Sequence, residues 1–96
     1  MSITGSKFKE NASRYGGGVY AAEGSNVLIT NSSFSTNRAR YGGAIFAAIN
    51  SVVRIVDTNF AHNTASKHGA AIYADEGSTV YVIANNKNIK YLVIIL

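Results

Sequence analysis

A tetrapeptide, Phe-x-x-Asn, returns at a fixed interval along this chain, and that regularity constrains the fold more than any other feature. The copies are Phe8-Lys9-Glu10-Asn11, Phe34-Ser35-Thr36-Asn37 and Phe60-Ala61-His62-Asn63, with 26 residues from each Phe to the next. Each copy leads into a glycine pair or its near-equivalent, Gly16-Gly17, Gly42-Gly43 and Gly69-Ala70. A period of about 20–50 residues marks a repeat architecture, in which neighbouring units stack to bury a shared core. A residue that recurs in such an array is first of all a stacking residue.

Laid on this period, the apolar residues fall into columns. Ile3, Ile29, Ile55 and Val82 form one; Val27, Val53 and Val80 another; Phe8, Phe34 and Phe60 a third; Val19, Ile45 and Ile72 a fourth. The third copy is one residue longer, between Asn63 and Gly69, an insertion expected to fall between strands. Ser25–Thr30 and Ser51–Val56 place Val and Ile at period two, which is strand patterning. No stretch has the i, i+3, i+4, i+7 apolar spacing of a helix. A leucine-rich repeat needs leucine columns, and the only leucines, Leu28, Leu92 and Leu96, do not repeat. A parallel β-helix needs β-branched and aromatic columns, glycine turns and stacked polar residues, and all are present.

The column chemistry follows. The three Phe residues are expected to stack inside the coils, where aromatic burial is a large term. Asn11, Asn37 and Asn63 are expected to form an amide ladder at a turn. The glycines mark bends, and Ser25, Ser51 and Ser78 are placed to satisfy turn amides.

Phe-x-x-Asn followed by Gly42-Gly43-Ala44-Ile45, with the variants Gly16-Gly17-Gly18-Val19 and Gly69-Ala70-Ala71-Ile72, resembles the repeats of the polymorphic outer membrane proteins of chlamydiae. The resemblance covers roughly residues 3–83. It implies an all-β, right-handed, single-stranded parallel β-helix (a pectin-lyase-like solenoid) of about three and a half coils of 26–27 residues. It also implies a non-enzymatic, adhesin-like passenger segment at the cell surface, at the outer membrane or secreted. No signal peptide is visible and the chain begins in mid-coil. The fourth copy fails, since its Phe and Asn positions fall near Lys87 and Lys90. Residues 1–84 are therefore read as coils and 85–96 as an irregular or capping segment. The apolar run Tyr91–Leu96 is far shorter than the roughly 20 residues of a membrane span.

The formal net charge is +4, which favours anionic surfaces but does not by itself argue for nucleic acid. Proline and cysteine are absent, so disulfides and cysteine metal sites are excluded. Arg14, Arg40 and Lys67 share one column and Tyr15, Tyr41 and His68 the next. Like charges stacked at coil spacing need solvent, a counterion or a ligand. The strip therefore suits an anionic glycan, a phospholipid headgroup or an acidic protein, with a host-cell surface as the implied partner. Solvated side chains packed beside glycine turns are the structural alternative.

The competing function is a fragment of a carbohydrate-active β-helix, a polysaccharide lyase or hydrolase. Its best carboxylates, Glu23 and Glu76, share a column with Ile49 between them, which sets them about 9–10 Å apart, at the upper limit for an inverting pair. No cofactor is expected. His62 and His68 lack a further ligand at metal spacing, and Gly16-Gly17-Gly18 lacks the Lys-Ser/Thr of a phosphate loop. Asn11-Ala12-Ser13 and Asn31-Ser32-Ser33 match the glycosylation sequon. Open coil ends present unpaired strand edges, so self-association through them is expected.

Overall fold

The computed structural model describes residues 1–83 together with Ile94 and Ile95. Every regular element among them is a β-strand. The first coil holds β1 (Ser2–Thr4), β2 (Lys7–Lys9) and β3 (Val19–Ala21); the second holds β4 (Asn26–Thr30), β5 (Ser33–Ser35), β6 (Arg38–Tyr41) and β7 (Ile45–Ala47). The third holds β8 (Val52–Val56), β9 (Asn59–Ala61), β10 (Thr64–His68) and β11 (Ile72–Ala74), and β12 (Thr79–Ile83) begins a fourth. Successive coils pair in parallel to make four sheets: β1-β4-β8-β12, β2-β5-β9, β6-β10 and β3-β7-β11, the last continued by β13 (Ile94–Ile95). The chain is a parallel β-helix.

The ladders reproduce the apolar columns. Ile3 pairs with Ile29, Ile29 with Ile55 and Ile55 with Val82. Phe8 pairs with Phe34 and Phe34 with Phe60, and Ile45 lies between Val19 and Ile72. Alternation at period two sends one side chain in and the next out, so a short strand such as β4 buries every second residue. Ile29, Ile45, Ile55 and Ile72 are fully enclosed, and the Phe rings stack at 4.6 and 5.1 Å, each 5° from parallel.

Four bends per coil turn the chain from one sheet to the next, and each is made by a residue with positive φ. The bends form columns: Gly5/Asn31/Asp57, Glu10/Thr36/His62, Gly16/Gly42/Gly69 and Gly24/Asn50/Gly77. Asn and Asp tolerate the left-handed region better than most residues, but a β-branched side chain there is strained. Thr36, at φ 57, is therefore a weak point. Its amide donates to the Ala61 carbonyl and its side chain is exposed, so Thr36→Asn should keep the coil bond while relieving strain. The expected result is a gain of about 0.5–1 kcal/mol, read as a higher urea midpoint with an unchanged slope.

Directly after that bend comes the Asn ladder. The Asn37 side-chain oxygen accepts from the Asn11 backbone N–H and from Asn11 Nδ2. Asn37 Nδ2 donates to Asn63 Oδ1 and to the Phe8 carbonyl. Both amide hydrogens and both acceptor positions are thus used, which is why a polar side chain can sit there with no exposed surface. A second, hydroxyl ladder holds another corner. Thr58 Oγ1 accepts from the Ser32 N–H and Ser32 Oγ from the Ser6 N–H, while each hydroxyl donates to the carbonyl two residues earlier.

Two details differ from the sequence expectations. The extra residue of the third copy is absorbed within β10, as a bulge: Ala65 faces Ala39 and His68 faces Tyr41, leaving Ser66 and Lys67 opposite Arg40 alone. The Ser hydroxyls do not satisfy turn amides. Those of Ser25, Ser51 and Ser78 donate to the carbonyls of Ala22, Ala48 and Asp75, three residues back. Most of 85–96, with Lys87, Lys90 and the run from Tyr91, lies outside the described residues; Ile94 and Ile95 pair in parallel with Ile72 and Tyr73.

Candidate binding faces

β6 and β10 carry the basic residues outward. Along β6, Arg38 and Arg40 point to solvent and Ala39 inward, as period-two alternation requires. Ala12 and Thr64 flank Arg38 in the coils on either side, and because both are small they leave a groove. The groove encloses about 420 Å³ and is lined by both arginines with Ser13, Thr64 and Ser66; among the described residues neither a carboxylate nor an aromatic ring lines it. Arg14 and Lys67 are exposed but lie outside that lining.

Tyr15, Tyr41 and His68 form the column that the period implied. Tyr15 bridges Tyr41, and Tyr41 is in register with His68. The tyrosine rings stack at 5.6 Å and 11°, and the imidazole lies 5.9 Å from Tyr41, tilted by 35°. A second column, Tyr20/Phe46/Tyr73, stands on the outer face of β3, β7 and β11, stacked at 5.4 and 5.3 Å and within 9° of parallel. The columns meet edge to face: Tyr15 lies 5.0 Å from Phe46 at 67°, and Tyr41 5.4 Å from Tyr73 at 65°.

This corner bounds a trough. One part, about 350 Å³, is lined by Tyr15, Tyr20, Phe46 and Ile49 with Glu23 and Asp75; another, about 220 Å³, adds Tyr41 and Tyr73. Among the described residues, no Lys or Arg lines either part. Rings and cations that are adjacent in sequence thus serve two surfaces, a basic groove and an aromatic trough edged by acids. Glu23 shares the trough with Asp75; Glu76 instead donates its backbone N–H to Asp75 Oδ1 at 2.7 Å. His62 sits at a bend and His68 in the ring column. Among the described residues, no three His, Cys, Asp or Glu side chains gather as a metal site would require, and no helix is long and apolar enough to cross a membrane.

Arg38 and the Tyr20/Phe46/Tyr73 column went unrecognised in the sequence. The aromatic column is legible at spacings of 26 and 27 residues. It takes the strand phase to place those rings outside. Arg38 has Ala12 and Thr64 as its counterparts, so no basic column announces it.

Stacked four-sided coils held by Phe and Asn ladders define a solenoid scaffold. Residues 31–48 and 57–75, in the second and third coils, match the Chlamydia polymorphic membrane protein repeat. Each matched segment starts at a left-handed bend, Asn31 or Asp57, and runs through the Phe-x-x-Asn and glycine elements to β7 or β11. No curated protein and no solved structure matches the chain.

Proposed function

We propose that this chain is a non-enzymatic, adhesin-like scaffold segment, exposed at an outer membrane or cell surface, which engages an anionic glycan through the groove over β6 and β10. The repeat match supports the surface placement, since the family's name ties its members to a membrane. One observation carries the ligand class: Arg38 and Arg40 line an open groove with hydroxyl groups and without a carboxylate to neutralise them. Guanidinium groups bind sulfate and carboxylate in two-pronged fashion. Hydroxyls of Ser13, Thr64 and Ser66 add donors for ring oxygens. Arg14 and Lys67 extend the positive field and steer a polyanion toward the groove.

The test is retention on an immobilised sulfated polysaccharide. Replacing Arg38 and Arg40 together by Ser should weaken binding about tenfold, with the circular dichroism unchanged. The Arg14/Lys67 pair of Ser substitutions should reduce it less, and added salt should weaken the unmodified protein. Undiminished retention of the Arg38/Arg40 variant would overturn the reading.

A further inference from the structure

We infer that the aromatic trough is a second ligand site, one that takes an alkylammonium group of the trimethylammonium type. The inference is independent of the glycan reading, because the two surfaces share no lining residue. Two stacked ring columns meet at 65–67° and form its walls. Tyr20 and Tyr15 remain 51% and 39% exposed, so ring surface is left for a ligand. Ala48 also lines it and is small enough to leave it open.

The charges select the ligand. Glu23 and Asp75 line the trough while, among the described residues, no Lys or Arg does, although the chain as a whole carries a net charge of +4. The Glu76 N–H bonded to Asp75 Oδ1 holds that carboxylate in place. An anion is repelled there, and a neutral apolar group gains only surface burial. A trimethylammonium group gains more: its methyls cover the rings, its charge meets their π density, and the carboxylates supply the counter-charge. Free choline and a choline lipid headgroup offer the same chemistry.

The probe is choline itself, titrated against the tyrosine ring signals in NMR, beside its neutral carbon isostere 3,3-dimethylbutan-1-ol. Choline should give saturable shifts on the trough rings and the isostere should not. Asp75→Asn and Glu23→Gln, both at partly or fully exposed positions, should each weaken binding roughly three- to fivefold. Tyr20→Leu, which keeps apolar bulk, should weaken it to a similar degree. Phosphatidylcholine vesicles that retain the protein, and release it on adding free choline, would assign the lipid headgroup. Saturable choline binding without vesicle retention would assign the free amine. The inference is overturned if choline gives no saturable shift, if the isostere binds equally well, or if the double variant lacking both carboxylates keeps full affinity.

Discussion

Gly43→Ala is expected to remove a large share of the folded state's stability, more than any other substitution considered. A Cβ at residue 43 would stand 2.1 Å from the Ala70 carbonyl oxygen and 2.5 Å from that of Thr64, both backbone atoms of the following coil. Neither can yield without separating coils that are held together there by the Gly43 N–H to Gly69 carbonyl bond. A clash of this kind falls in the exceptional class, above about 4 kcal/mol. A chain of this size has about 5–14 kcal/mol in total. Gly24→Ala is the control. That glycine also bends the chain, at φ 73, yet a Cβ there meets nothing within 4 Å. Its cost is the left-handed strain alone, about 1–2 kcal/mol. Urea unfolding followed by circular dichroism separates the two, and a milder loss for Gly43→Ala than for Gly24→Ala would contradict the packing argument. Gly17 would meet the Gly43 carbonyl and Gly43 the Ala70 carbonyl, so each conflict lies with the coil that follows.

Asn37→Leu should cost about 3–5 kcal/mol, the second largest effect. It removes the ladder bonds to Asn11 and from Asn37 Nδ2 to the half-buried Asn63 side chain, and it leaves the Phe8 carbonyl without its side-chain donor. Leaving a buried polar group unsatisfied costs about 1–3 kcal/mol each. Asn11→Leu should cost markedly less, because Asn11 is exposed and only donates to its neighbour. Asn37→Asp is the sharper probe. It keeps the acceptors for Asn11 but turns a carboxylate toward Asn63 Oδ1 and the Phe8 carbonyl, so it should resemble Leu in cost. Equal midpoints for the Asn11 and Asn37 variants would argue against a directional ladder.

The coil and its register were legible because one period carried several residue types at once. A slip of one residue would move Ile29 and Val27 from core to solvent, so the apolar columns admit one register only. The Asn ladder was legible for the same reason: a polar residue at a fixed offset from a core Phe has to be satisfied by its own copies. The bends were only partly legible. Glycine, Asn and Asp signal some of them, but Glu10, Thr36 and His62 adopt positive φ without a sequence signature, the middle one held by the coil-to-coil bond from the Thr36 N–H to the Ala61 carbonyl. The added residue of the third coil was visible as a count. Whether it would enter a loop or a strand was not, and the bulge in β10 shifts Lys67 out of simple register with Arg40.

The Phe-x-x-Asn repeat by itself determined that coils stack, which side chains they bury and that the motif turns inward as scaffold. Those properties follow from periodicity, which a linear chain displays directly. Which outward side chains share a surface was decided only by the tertiary structure. Arg40 and Tyr41 are neighbours in sequence, yet β6 sends Arg40 to the groove with Arg38 while the next corner turns Tyr41 toward Tyr73 on the adjoining sheet. The physical reason is strand alternation followed by a bend: adjacent side chains on β6 part by face, and the left-handed Gly42, directly after Tyr41, sets the direction of the sheet that follows.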